Sequence, residues 1–403
     1  MSEAAPDGAG AGPAHRPGLH GAFAWLIATL VAVHACMALT RTTASLWVLQ
    51  QGHGEWTVGV LLSLFAVAPL FLALWAGRLA DRHGLHRPVG LAALLGLVGA
   101  AVALLAVSTQ SGALWGILLS CLCSGGAVSV AAVAIQREAG QMADGSGDLK
   151  RVFSWVALGP ALSNAIAPVI AGLLIDHLGF VWAFALAVLL PMLAWALALR
   201  VPRHRPAAQA RRQARSRTAF ELLREPMLRR LLMLNVVLAA GWDAHSFVVP
   251  VVGHARGLSA SSIGLVLGSF AVAATAVRLA IVSFARHLDE VKALRSAMLL
   301  ATLTLAVYAW LPGTLGLICG SALLGLALGS VQPMILAMLH QFTPPERQGQ
   351  ALGLRMLATN GATIAMPLGF GLLASVSVAA APLWLMAGLL ALAQWPARAL
   401  SRA

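Results

Sequence analysis

Long apolar runs separated by short polar breaks dominate the chain, and the alternation repeats twelve times. The runs cover residues 23–49, 57–78, 88–107, 112–135, 152–175, 181–200, 230–252, 261–284, 293–311, 313–342, 350–373 and 379–397. Each is long enough to cross about 30 Å of hydrocarbon as an α-helix rising 1.5 Å per residue. The breaks Gln50–Trp56, Ser108–Ser111, Asp176–Phe180 and Gly253–Ala260 are short, which forces neighbouring helices to run antiparallel. The pattern predicts an all-α membrane protein of twelve transmembrane helices.

Two polar stretches stand apart. Residues 1–22 are rich in Gly, Ala and Pro without apolar periodicity and read as a disordered tail. Arg200 to Arg230 carries ten arginines against Glu221 and Glu225, with Pro202, Pro206 and Pro226. It reads as a basic linker, 201–229, between two six-helix halves, 23–200 and 230–397, with a second tail at 398–403. The halves are self-similar. The run from Gly59 to Ala68 aligns with that from Gly264 to Ala273 at an offset of 205, with six of ten positions identical. The match falls at the second helix of each half, where an internal duplication would put it.

Composition supports lipid as the solvent: 59% of residues are hydrophobic, 10% are charged and the mean hydropathy is +0.83. The net charge of +13 would suggest nucleic acid in a soluble protein. Here 24 of the 27 Lys and Arg lie in or beside loops of one membrane side, leaving only Arg41, Arg256 and Arg278 elsewhere. That is the positive-inside distribution, so both termini are expected in the cytoplasm and the protein in the inner (cytoplasmic) membrane. The basic linker is expected to face anionic lipid, with no nucleic-acid partner. Cys36, Cys121, Cys123 and Cys319 sit in apolar runs and read as small buried hydrophobes, not as a disulfide or metal framework. There is no G-x4-G-K-[ST] phosphate loop and no H-E-x-x-H. The expectation is therefore a non-enzyme without cofactors, working as a monomer.

One polar loop carries a recognisable pattern. Between the second and third runs stands Gly77-Arg78-Leu79-Ala80-Asp81-Arg82-His83-Gly84-Leu85-His86-Arg87-Pro88. Gly77 would allow close backbone approach where a helix leaves the bilayer, and Gly84 would take the positive φ of a tight turn. The loop resembles the G-x-L-a-D-r-x-G-r-k pattern between the second and third helices of major facilitator superfamily transporters. Leu85 and His86 depart from it where a basic pair is usual. The resemblance covers about residues 22–397. It implies two pseudo-symmetric six-helix bundles around a central cavity, working by alternating access. It also implies that Gly77, Asp81, Arg82, Gly84, Arg87 and Glu138 form a conformational switch. Asp81 would anchor to the start of the eleventh helix near Gln348–Leu352, and Arg82 or Arg87 would pair with Glu138. Ser154, Ser163, Ala167, Pro168, Ala171 and Gly172 resemble a degraded form of the family's fifth-helix antiporter pattern. The arginine that many of its proton-coupled drug exporters carry in the fourth helix is replaced by Leu122.

Charge inside the bilayer costs roughly 2.5–3.5 kcal/mol per residue on insertion scales, so each instance needs a reason. Arg41 lies in the outer part of the first run, Asp243 near the middle of the seventh beside Trp242 and His245, and Arg278 in the inner part of the eighth. These residues, with Gln332 and Asn360, are the candidates for substrate, proton or gate contacts. Asn164 and His34 have further polar side chains within spans. Trp47, Trp56 and Trp310 read as interfacial anchors. At the offset of 205, Arg41 stands level with Ser246, about 4.5 Å in height from Asp243. An Arg41–Asp243 pair would close the outer side of the cavity, each residue's rival partner lying in its own bundle. The function read from the sequence is secondary active transport of a small solute, outward and proton-coupled. Uptake of a small polar metabolite, or a non-transporting receptor or assembly role, stays open.

Overall fold

The computed structural model describes residues 18–110, 112–142, 146–202, 219–284, 290–343 and 348–398. Every regular element among them is helical. The long helices are α1 (Gly18–Gln50), α2 (Glu55–His83), α3 (His86–Thr109), α4 (Ala113–Gln141), α5 (Ser146–Leu178), α6 (Phe180–Ala198), α7 (Pro226–Ala255), α8 (Ala260–Phe284), α9 (Glu290–Val307), α10 (Gly313–Phe342), α11 (Gln348–Val376) and α12 (Ala381–Arg398). Eleven are long and apolar enough to cross a membrane. In hydrocarbon every backbone N–H and C=O must be satisfied within the segment, which is why apolar runs of this length become helices and not strands. α12 ends on Arg398 and packs against α7 and α9.

The two halves repeat one plan. In the first, α4 packs on α2 and α3; in the second, α10 packs on α8 and α9. The equivalence reaches single residues. A Cβ added at Gly125 would run into the Phe65 carbonyl, and one at Gly325 into the carbonyl of Phe270, the counterpart of Phe65 at the offset of 205. The repeat seen in the sequence is thus a repeat of helix contacts.

The halves meet along two seams, α2 with α11 and α5 with α8. Both depend on glycine. A Cβ at Gly59 would collide with the Pro367 carbonyl, and one at its counterpart Gly264 with the Pro168 carbonyl. Without side chains there, backbones come within van der Waals reach of each other. The seams continue to the end of the molecule away from the termini. Gly371 abuts Glu55 and Trp56 at the start of α2, and Gly172 abuts Ala260 and Ser261 at the start of α8. At that end Asp176 of α5 reaches across to the other half. Its Oδ1 accepts from the Ala260 N–H at 3.0 Å and its Oδ2 from the Ser261 N–H at 2.7 Å. Free amides and the positive end of the α8 dipole suit a carboxylate. This end of the molecule is closed.

Several expectations need correction. α1 begins at Gly18, directly after Pro17, so residues 18–22 are helix and not tail. Residues 226–229 belong to α7, because Pro226 occupies its first turn with φ already set for a helix; a 3-10 turn, Ala219–Arg224, precedes it. Trp47 is 4% exposed and packs beside His53, so it is core and not an interfacial anchor; Trp56 and Trp310 are exposed. Cys319 is exposed, not buried. At Gly77 the nearest neighbour of an added Cβ would be Val133 Cγ1 at 4.0 Å, so no close approach requires glycine there. Gly84 has φ of 69° and returns its N–H to the Ala80 carbonyl, ending α2. The tail 1–17 and the arginine run at 203–218 lie outside the described residues.

Candidate functional site

A cavity of about 50 Å³ lies between the halves, room for a few water molecules. α1 contributes Ala38, Arg41 and Thr42, and α5 contributes Asn164 and Pro168. α7 adds Trp242, His245, Ser246 and Pro250, and α8 adds Leu267, Phe270 and Ala271. Each half thus supplies two of the four walls, and the α5–α8 seam runs on past the cavity to the closed end. The two prolines are placed with effect. Proline lacks an N–H, so Pro168 and Pro250 remove the helical hydrogen bonds to the carbonyls of Asn164 and Ser246, both on the cavity wall. The Asn164 side chain donates to the Pro160 carbonyl at 2.9 Å.

His245 is 1% exposed and heads a buried polar chain. Its Nε2 is 2.8 Å from Ser321 Oγ on α10, which is 2.6 Å from the hydroxyl of Tyr308, the protein's single tyrosine. The Tyr308 hydroxyl also lies 3.4 Å from the Leu317 carbonyl. The imidazole stacks on Phe270, with ring centres 4.3 Å apart, and Trp242 meets Phe270 edge-on at 4.4 Å. The other ring nitrogen, Nδ1, is buried with no hydrogen-bond partner. Arg256, at the end of α7, donates to the carbonyls of Ala309 and Leu311 and so holds the turn that carries Tyr308.

The charges are arranged in depth. Arg41 is on the cavity wall, and no hydrogen bond to its guanidinium occurs among the described residues. Asp243 is 6% exposed and stands behind the wall, not on it. Its Oδ2 accepts no hydrogen bond. Arg41 and Asp243 attract each other as charges, and the Thr363 side chain of α11 faces the carboxylate. The closed end is held by the seams and by Asp176, and no hydrogen-bonded Arg41–Asp243 bridge contributes among the described residues.

Of the residues singled out from the sequence, the cavity brings together Arg41, Asn164, Pro168, Trp242 and His245. Asp243 is adjacent. Arg278 is turned toward its own half: Nε donates to the Gly329 carbonyl at 3.2 Å and the guanidinium lies 5.8 Å from the Trp242 ring centre. Gln332 is exposed and Asn360 half-buried, and neither lines the cavity. His34 has its Nδ1 3.1 Å from the Leu30 carbonyl of its own helix. Arg82 and Arg87 are exposed, and Glu138 is 1% exposed. The side chain of Asp81 and the residues Gln348–Gln350 of its expected anchor lie outside the described side chains. Thr42, Ser246, Pro250 and Phe270 escaped the sequence reading, as did Asp176. Small hydroxyls, prolines and a phenylalanine are common in apolar helices, so nothing local marks them.

The Major Facilitator Superfamily profile matches residues 26–322 and 231–400. A stretch of 116 residues is 37% identical to the class B tetracycline resistance protein of Escherichia coli; it spans 28% of this chain and 27% of that protein's length. Among solved structures, a variant of the nucleoside transporter NupG superposes with a TM-score of 0.76 at 14% identity, covering 94% of this chain and 99% of the other. A bacterial homologue of the iron transporter ferroportin, in an inward-facing state, superposes with a TM-score of 0.71 at 14% identity over 96% and 100%. At such identities the likeness is one of fold. With the profile matched along nearly the whole sequence, this multi-pass membrane protein belongs to the Major Facilitator Superfamily.

Proposed function

We propose that the protein carries a small solute out of the cell by alternating access at the cavity between α1, α5, α7 and α8, with Asp243 as the group that takes the coupling proton. The observation that carries this reading is the cavity itself: both halves build it, and the α5–α8 seam beside it runs on to the end where Asp176 bridges the halves. Rocking the halves apart at the seams would expose the same residues to the other side. Asp243 suits the proton role because it is buried, carries an unpartnered oxygen and feels the charge of Arg41. Outward direction is supported by the partial match to a resistance protein and by the altered fifth-helix pattern. The positive-inside bias supports cytoplasmic termini and the inner membrane.

The experiment compares metabolites in a deletion strain and an overexpressing strain, then measures flux of any altered solute in everted vesicles. Export predicts that the solute rises inside the deletion strain and accumulates in vesicles bearing the protein. The opposite sign in both assays would make the protein an uptake carrier. An unchanged metabolite profile would contradict transport.

A further inference from the structure

We infer that the solute carries an anionic group, a carboxylate in the simplest case, which Arg41 holds in the cavity, and that this anion and a proton on Asp243 occupy the protein together. The inference rests on the transport reading above and names its substrate class.

Three observations carry it. The first is which charge faces the solute. Arg41 lines the cavity without a protein hydrogen bond among the described residues, while Asp243 stands behind the wall. A cationic solute would meet the guanidinium first; an anion would meet a planar fork of donors suited to a carboxylate.

The second is the rest of the lining. Thr42, Asn164, Trp242 and Ser246 add uncharged polar groups beside Arg41, and no Asp or Glu lines the cavity among the described residues. A cation would find no carboxylate there, whereas an anion would find Arg41 and further donors.

The third is charge balance. Arg41 and Asp243 carry opposite charges that act on each other through a buried site, so their sum there is zero. The other groups near them do not alter that balance: Cys121 of α4 faces Arg41 as a buried thiol, His245 is on the same helix, and Arg278 of α8 is bonded to Gly329. Adding an anion leaves one uncompensated buried negative charge. A proton from water, taken by Asp243, removes it. Anion and proton therefore favour each other's binding.

The test uses purified full-length protein in detergent with three probes that share a ring for Trp242 and Phe270 to contact: benzoate, benzyl alcohol and benzylammonium. Binding is read by thermal stabilisation and proton exchange by an indicator dye in weak buffer. Benzoate is expected to bind in preference to the other two and to take up about one proton per molecule. Its affinity should fall about tenfold per pH unit on the alkaline side, as linkage to one proton requires. R41Q should abolish the binding, and D243N should bind without proton uptake and without pH dependence. Failure of benzoate to bind, equal binding by R41Q, or binding of benzylammonium with proton release would overturn the inference. The sign of the proton change needs no variant, so a misfolded R41Q does not protect the idea. Flux is not needed either: a protein that binds benzoate in this way yet moves no solute would sink the transport reading and leave this one.

Discussion

At the scale of residues, the site is a small set of polar groups whose partners are unevenly supplied. Ser321 is fully buried and bridges His245 to Tyr308. S321A leaves both groups buried and short of a hydrogen bond, which costs about 1–3 kcal/mol. Y308F removes only the far end of the chain and should cost about 1 kcal/mol. Thermal unfolding in detergent should therefore rank wild type above Y308F and Y308F above S321A. Equal transitions for all three would show that the chain contributes nothing. Arg41, Trp242 and His245 were legible in the sequence because polar or bulky groups stand out in an apolar helix. Which side of the helix they face was not, because helices that are apolar all round carry no stripe to orient them. That is why the sequence does not separate Gln332, Asn360 and Arg278 from Arg41, or tell that Asp243 stands behind the cavity wall.

At the scale of elements, closure depends on two glycine seams and one carboxylate. G264V would push a branched side chain into the Pro168 carbonyl, whereas Gly361 has open space around it, so G361V should leave the seam alone. The pair can be compared in a protein whose other cysteines have been replaced, with S246C as reporter. G264V should increase labelling of S246C by a membrane-impermeant maleimide from the side away from the termini, and G361V should not. Equal labelling would mean that Gly264 does not hold the seam. D176N keeps the shape but loses the charge that favours the α8 N-terminus, an effect of about 0.3–1 kcal/mol. It should shift the same labelling in the same direction by up to several-fold, and more at low ionic strength than at high. The helices themselves were readable from run lengths, and the match of Gly59 with Gly264 exposed the duplication. That these glycines are also where the halves touch could not be read, because the partner carbonyls, Pro367 and Pro168, are far away in sequence. Asp176 looked like an ordinary loop-end acid for the same reason.

At the scale of the whole molecule, the family places the protein among membrane transporters, and the charge bias predicts its orientation. A cysteine at position 215, in the arginine run, should resist impermeant reagent from outside intact cells and react after lysis; labelling from outside would invert the topology. The central claim is that the end closed by the seams opens. Distance measurement by double electron–electron resonance, with spin labels at Gln51 and His254, tests it most directly. Both residues are exposed and lie at that end, on opposite halves. The account predicts a short distance in wild type, matching the closed structure, and a longer one whose share grows in D176N and G264V. A single short distance, identical in wild type and both variants, would contradict it.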